Sequence, residues 1–280
     1  MIKPGEIQQK ARDAGVRDQQ IEKDYVLSWI LKGIAQHQQL LKAIVFKGGT
    51  VLKKIYFEDY RFSEDLDFTL LNNARLPNGQ EITNEQIFEW FKELFEYVKE
   101  EANIPLTIID PDSHRDRHEH EDGGINFYIS YTGPLGVQGN NKRLKVDISR
   151  SEQLEYAPVM KDVIVGYSDL EAHQLLCYSL EEVLVEKMRT VMQRMQAKDF
   201  YDIWFLLEQH NMDAALLMKE FGKKCASKNL KHSDFPKKIS ERLPQYKGRW
   251  ENSMGEQIKD LPDFDQAETE VQRHLKKLKF

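Results

Sequence analysis

Phe46-Lys47-Gly48-Gly49-Thr50, followed by Arg61-Phe62-Ser63-Glu64-Asp65-Leu66-Asp67-Phe68, is the stretch on which the reading of this chain turns. Ala43-Ile44-Val45-Phe46 is a short apolar run with the character of a buried strand. Lys47-Gly48-Gly49 closes that strand. A double glycine flanked by a lysine and a threonine lets bare backbone N–H groups approach phosphate oxygens. Side chains alternate across a strand with period two, so Asp65 and Asp67 stand on one face of the next strand. Two adjacent carboxylates repel each other, and the pair is costly unless a cation sits between them. Hard oxygen ligands beside a phosphate suit Mg²⁺. The spacing therefore predicts a site for a metal–nucleotide complex.

Outward from this stretch, residues 18–40 read as a helix, with Ile21, Tyr25, Ile30 and Ile34 on an apolar face broadened by Val26, Leu27 and Trp29. Thr50 is placed to cap a short helix over 51–56. The second strand falls within 60–71, and a turn-rich loop covers 72–80. Thr83-x-x-Gln86 has the form of a capping box. It opens a helix whose Ile87, Phe88, Phe91, Leu94, Phe95 and Val98 share one face. Strands are expected over 104–109, 125–131 and 143–149, the last two joined by a glycine-rich connection at 132–142. From about residue 168 the pattern turns helical. Ser179-x-x-Glu182 opens a helix through Arg194, a second covers 199–209, and further segments are expected near 212–222, 235–243 and 266–278. A change of composition near 165 divides the chain into a mixed α/β (α+β) part, residues 1–165, and an α-helical part, residues 166–280.

Hydrophobic residues make up 40% and charged residues 31% of the 280, the balance of a soluble globular protein. No apolar run approaches the roughly 20 residues of a membrane span. Met1-Ile2-Lys3-Pro4-Gly5-Glu6 has no apolar signal region. Cys177 and Cys225 lie far apart and form no CxxC pair. The expectation is a cytoplasmic protein with reduced thiols and no membrane partner. The net charge of −6 argues against simple electrostatic binding of nucleic acid. Residues 222–249, however, carry nine Lys and Arg against Asp234 and Glu241, a local +7 that leaves −13 for the rest. Such a segment is either a footprint for RNA or another polyanion, or a solvated helix and loop surface.

Lys145-Val146-Asp147-Ile148 sets an aspartate among apolar neighbours on an expected strand. Buried, that aspartate is costly unless paired or bound to metal; the alternative is a strand aspartate facing solvent. Beside Asp65 and Asp67 it completes a three-carboxylate cluster. Two Mg²⁺ ions about 3.5–4 Å apart would then clamp an in-line phosphoryl or nucleotidyl displacement.

Gly48-Gly49-Thr50, Asp65-x-Asp67 and Asp147 on a later strand together resemble the nucleotidyltransferase superfamily related to DNA polymerase beta. More narrowly, Phe46-Lys47-Gly48-Gly49-Thr50-Val51-Leu52 with Arg61-Phe62-Ser63-Glu64-Asp65-Leu66-Asp67-Phe68 resembles the AbiEii/AbiGii toxin family. These are the nucleotidyltransferase toxins of bacterial abortive-infection and type IV toxin–antitoxin systems. The match continues through Glu22-Lys23-Asp24-Tyr25, Glu181-Glu182-Val183-Leu184-Val185-Glu186-Lys187-Met188-Arg189, Arg194 and Lys198-Asp199-Phe200-Tyr201-Asp202-Ile203, over roughly residues 20–210. Two departures stand out. The gap between Gly49 and Asp65 is longer than in the compact superfamily motif. Lys198 stands where the family commonly has arginine, which keeps the charge and loses the bidentate fork.

The resemblance implies a nucleotidyltransferase-like core of mixed sheet and flanking helices, followed by a helical domain. It implies metal-dependent transfer of a nucleoside monophosphate from an NTP to an acceptor hydroxyl. The implied acceptors are tRNA 3′ ends or other RNA, with growth arrest as the result in a toxin–antitoxin or phage-defence pair, and a cognate antitoxin as partner. Carried over residue by residue, Lys47, Gly48, Gly49 and Thr50, with Arg61 and Ser63, bind the nucleotide. Asp65 and Asp67 bind Mg²⁺, and Asp147 binds metal or deprotonates the acceptor. Lys187 and Asp202 fall on catalytic positions, and Arg194 and Asp199 on nucleotide-binding ones. Lys187 and Arg194, seven residues apart, would share a helix face and reach phosphates, or equally pair with Glu182 or Glu186. Asp199 and Asp202 share a face at i and i+3, one of them orienting Lys187 or the nucleotide.

Two other functions fit the same residues. A Mg²⁺–NTP site of this kind also suits a phosphotransferase delivering a γ-phosphate to a protein, and a nucleotide-binding module without catalysis needs no more. His114, His118 and His120 cluster in an acidic loop at 111–122, which reads as a solvent-exposed hairpin tip ahead of a metal site, since HExxH and cysteine are lacking. There is no GxxxxGK[ST] and no GxSxG, so neither a P-loop NTPase nor an α/β-hydrolase is supported.

Overall fold

The computed structural model describes residues 1–109, 118–119, 123–136 and 142–280. His114, His120, the side chain of His118 and residues 137–141 of the expected hairpin connection lie outside the described residues. The chain forms two units, residues 1–152 with 158–177, and residues 153–157 with 178–280.

The first unit opens with α1 (Pro4–Ala14), marked by proline in its first turn and Gly15 at φ 65° after its end. α2 (Asp18–Gln36) stops short of the expected residue 40, because His37 leaves helical geometry and its Nδ1 accepts the Leu40 N–H at 3.2 Å, starting α3 (Gln38–Ala43). Next come β1 (Ile44–Lys47), the helical turn α4 (Gly48–Val51) with a π-turn over Leu52–Tyr56, and β2 (Asp65–Leu70). α5 (Asn84–Ala102), β3 (Leu106–Ile108), β4 (His118–Glu119), β5 (Ile125–Tyr131), β6 (Arg143–Ser149), β7 (Val159–Asp162) and β8 (Gln174–Cys177) complete the unit. The strands make one mixed sheet in the order β3-β5-β6-β2-β1-β8-β7, with β4 on β5. β7 and β8 correct the expectation of a helical part from residue 166. β8 pairs in parallel with β1, which ties the segment up to Cys177 to the first unit's sheet.

Alternation decides which face of this sheet is core. Leu66, Phe68, Leu144, Val146, Ile148, Ile125, Phe127 and Ile129 are all buried. α5 covers them, capped by Thr83, whose hydroxyl accepts the Gln86 N–H at 3.3 Å. Phe88 and Phe91 of α5 each put a ring 5.1 Å from Phe127. α2 packs on α5 at Gly33, where a Cβ would lie 2.7 Å from Leu94 Cγ, so glycine is required by the close approach of the helices.

The second unit is helical. It contains α6 (Leu180–Thr190), α7 (Ala197–Trp204) with a π-turn over Phe205–Gln209, α8 (Met218–Ala226), α9 (Phe235–Met254) and α10 (Phe264–Leu275). α6 ends at Thr190, short of the expected end at Arg194. α9 runs past the expected end at 243 and through Pro244. An internal proline costs about 3 kcal/mol. Buried Tyr246, Trp250 and Met254 beyond it outweigh that cost, since full burial of one large apolar side chain contributes about 1.5–3 kcal/mol. Phe200 of α7 stacks on Tyr246 at 5.3 Å and lies 6.2 Å from Trp250 and 5.6 Å from Phe264.

Ser179 caps α6 by accepting the Glu182 N–H at 3.3 Å, but the Glu182 carboxylate does not close the box. It accepts from the Glu155 and Tyr156 N–H groups at 2.9 Å and from Lys224 Nζ at 2.6 Å. Burial pushes this carboxyl above its ordinary pKa against the pull of Lys224. Both side chains of the pair are fully buried. Lys224→Met should therefore destabilise the second unit by about 3–5 kcal/mol, the cost of leaving one buried charge alone. Urea unfolding followed by tryptophan fluorescence measures it. The double variant Glu182→Leu/Lys224→Met should recover part of the loss; a double variant no better than the single would show that the pair is not its source.

Candidate active site

Strand register builds the site in the first unit. Asp67 lies opposite Lys47 of β1 on one side and opposite Asp147 of β6 on the other. Asp147 in turn lies opposite Asn126 of β5. The neighbouring row is Asp65, Lys145 and Tyr128. Directly opposed residues share a face, and strands lie about 4.8 Å apart. Asp65, Asp67 and Asp147 are therefore neighbours on the face opposite Phe68 and Ile148, with Asp65 exposed and the other two half-buried. Lys145 Nζ approaches Asp147 Oδ2 at 3.4 Å. Burial pulls the Lys145 pKa down, but attraction to Asp147, Asp65 and Asp67 outweighs it and the net shift is upward. Lys145 is thus a counter-charge of the carboxylate row. Among the described residues no three His, Cys, Asp or Glu side chains gather closely enough to cage an ion by themselves. The row suits a cation that keeps phosphate and water ligands beside one or two carboxylates, as Mg²⁺ does.

Gly48 meets the row from the other side. Its φ is +80°, and a Cβ there would fall 2.3 Å from Asp67 Oδ2. Glycine is required both by the left-handed backbone and by the carboxylate lying against it. Thr50 does not cap the following helix as expected; it sits inside it. Its hydroxyl donates to the Asp65 carbonyl at 2.6 Å and lies 2.8 Å from the Ser63 hydroxyl, tying the glycine turn to the start of β2. Lys47 is buried at the end of the row. Arg61 is 2% exposed and donates from Nη1 to the Phe62 carbonyl at 3.2 Å, so it braces the approach to β2.

Two positioning groups were not assigned a role from sequence. Asp24 of α2, itself buried, pairs with Lys54 at 2.5 Å and accepts the Tyr167 hydroxyl at 2.7 Å, which anchors the helical turn after the glycines. Lys23 pairs with Glu64, next to Asp65, at 2.6 Å. Both belong to Glu22-Lys23-Asp24-Tyr25, a stretch the sequence singles out without showing what it holds.

In the second unit Lys187 Nζ lies 2.7 Å from both Asp199 Oδ1 and Asp202 Oδ2. Arg194 donates two bonds to Asp199, 2.6 Å from Nε and 3.0 Å from Nη2. Lys187 and Arg194 do not share a helix face, since Arg194 lies beyond the end of α6; Asp199 joins them instead. Glu186 pairs with Arg189 at 3.7 Å, and Glu182 with Lys224 at 2.6 Å. Burial would raise the Asp199 pKa, but Lys187 and the Arg194 guanidinium more than offset it and hold the carboxyl well below the usual range.

The basic segment at 222–249 is largely occupied within its own unit. Lys224 is buried on Glu182, Lys223 lies 3.7 Å from Glu155 and Glu220, and Lys247 is 2.6 Å from Asp265. Arg249 donates to the Met195 carbonyl at 2.7 Å, and Arg242 to that of Val191. Cys177 and Cys225 are free and buried. Among the described residues no helix is long and apolar enough to cross a membrane.

Residues 29–270 match the family model described as nucleotidyl transferase AbiEii toxin, type IV TA system. The chain belongs to the AbiEii family. Solved structures that share its fold include the following two. MenT4, a nucleotidyltransferase toxin from Mycobacterium tuberculosis, is 15% identical with a TM-score of 0.54, over 98% of this chain and 88% of that one. A candidate nucleotidyltransferase from H. pylori is 19% identical with a TM-score of 0.53, over 94% of this chain and 97% of that one. No curated protein matches the sequence. Membership of the AbiEii family makes the chain a nucleotidyltransferase toxin of a type IV toxin–antitoxin system. The family implies an NTP substrate, usually a divalent metal, and an antitoxin partner.

Gly48→Ala should lower nucleotidyl transfer roughly a hundredfold, because displacing a reacting group by about 1 Å costs that much, and should cost about 1–2 kcal/mol through the left-handed backbone alone. Rate assays and thermal melts measure the two; full activity would show that Asp67 does not need its contact with the turn. For Lys187→Met the pH dependence is diagnostic. A depressed folded pKa at Asp199 contributes stability that is complete above the ordinary aspartate value, about 3.9, and is lost as pH falls through the folded value. Removing Lys187 raises that folded pKa. The melting-temperature gap between wild type and variant should be widest at neutral pH and narrow below about pH 4; a gap independent of pH would separate Lys187 from the ionisation of Asp199.

Proposed function

We propose that this AbiEii-family toxin transfers a nucleoside monophosphate from an NTP to a hydroxyl of RNA, with tRNA 3′ ends as the acceptor, in a Mg²⁺-dependent reaction. The observation that carries the proposal is the apposition of Asp67 and Asp147 across β2 and β6, with the Gly48 backbone against Asp67. Gly48, Gly49 and Thr50, beside Lys47, receive the triphosphate, while Ser63 and Arg61 hold the turn that aligns β2. Two Mg²⁺ ions, held by Asp65 and Asp67 with Asp147 alongside, would offset the charge that develops on the phosphate oxygens. The acceptor oxygen forms a bond to the α-phosphorus as the bond to the β-phosphate oxygen breaks. Pyrophosphate leaves, and the hydroxyl proton passes to Asp147. In the second unit Lys187, Asp202, Asp199 and Arg194 form one ion-paired cluster, for which the resemblance implies catalytic roles at Lys187 and Asp202 and nucleotide-binding roles at Asp199 and Arg194.

The test is incubation with Mg²⁺, total bacterial RNA and each α-phosphate-labelled NTP in turn, beside an Asp65→Ala/Asp67→Ala control and an EDTA control. Label should enter RNA of tRNA size with the wild-type protein and be absent from both controls. No label with any NTP would sink transfer to RNA. Label reaching protein from γ-labelled NTP would install the phosphotransferase in its place.

A further inference from the structure

We infer that Tyr128 and Arg143 form a stacking platform for the terminal base of the acceptor strand, an inference that rests on the nucleotidyl-transfer reading above. In-line displacement places the attacking oxygen opposite the departing pyrophosphate. The glycine turn flanks Asp67 on its β1 side and Asp147 flanks it on its β6 side. With the phosphates at the glycine turn, the acceptor hydroxyl lies over β6, and the nucleotide that carries it extends over β6 and β5.

That part of the face is built for a base. β5 and β6 bury alternate residues, so Tyr128 and Arg143 stand on the carboxylate side of the sheet. Tyr128 is opposite Lys145 and diagonal to Asp147. Diagonal neighbours on adjacent strands lie about 7–8 Å apart, a span that one nucleotide covers from ribose hydroxyl to base. The Arg143 guanidinium carbon sits 4.5 Å from the centre of the Tyr128 ring, and Arg143 is exposed. A flat cation already held on an aromatic ring offers a base a stacking plane and its phosphate a charge. Stacking accepts every base, so the platform would position the acceptor end without reading its sequence.

Fluorescence anisotropy with a 5′-fluorescein single-stranded oligoribonucleotide, read in EDTA without NTP, separates acceptor binding from catalysis. One probe carries an intact 3′ nucleotide; a second lacks only the terminal base. Wild type should prefer the intact probe by roughly tenfold, within the range of one base–aromatic stack. Tyr128→Leu and Tyr128→Ala should abolish the preference, Tyr128→Phe should keep it, and Arg143→Ala should reduce it; thermal melts check each fold. Equal preference in wild type and Tyr128→Leu overturns the platform, as does a wild type that ignores the missing base. Failure of the transfer reading looks different: the wild type would discriminate between the probes in EDTA, supporting the platform, yet add no labelled nucleotide to RNA when Mg²⁺ and NTP are supplied.

Discussion

Asp65, Asp67 and Asp147 place three negative charges on one face of two adjacent parallel strands, and the first unit is organised around holding them there. Like charges directly opposite one another on neighbouring strands are destabilising, by up to about 1 kcal/mol for a pair. The apolar side chains between them supply the opposing force. Leu66 and Phe68 of β2 and Val146 and Ile148 of β6 are buried on the other face, each worth about 1.5–3 kcal/mol. Sliding β2 by one residue would relieve the repulsion only by turning Phe68 to the carboxylate face. Burial therefore wins, and the register that α5 and the sheet core demand is the register that sets Asp67 beside Asp147. Gly48 follows from the same constraint, since any side chain at that turn would occupy the space of the Asp67 carboxylate.

The second unit treats carboxylates in the opposite way. Asp199 and Asp202 are 1% and 0% exposed and face two cations, Lys187 and Arg194, so the cluster is balanced internally. Lys224 and Glu182 balance each other likewise. In the first unit Lys145 answers three carboxylates and pairs directly with one at 3.4 Å. The chemical consequence is a division of labour by charge. A neutralised buried cluster holds geometry and gives an arriving cation nothing to gain. The carboxylate row of the first unit lies on a half-exposed face, with Lys145 and Lys47 beside it.

The physical range of each interaction explains what the sequence discloses. Period-two alternation is local, so β5 and β6 are legible over the residues they occupy, and so is the shared face of Asp65 and Asp67. That Asp147 lies beside Asp67 is a matter of register between strands some 80 residues apart in the chain, which no local pattern encodes; a lone strand aspartate leaves a solvent-facing position equally open, and the resemblance to the nucleotidyltransferase superfamily is what points to the cluster. β7 and β8 escape the same reading. They are four residues each, β7 is largely exposed, and the parallel pairing of β8 with β1 is set by the sheet edge it joins. Charge tallies mislead for a related reason. The run at 222–249 reads as strongly basic, yet Lys224 and Lys247 have acidic partners at Glu182 and Asp265, the first of them 42 residues away. Net charge along a chain counts side chains before pairing, whereas the field at a surface depends on what remains after it. Aspartates are expensive wherever the fold buries them, and in the second unit Lys187 and Arg194 offset that expense for the buried Asp199 and Asp202.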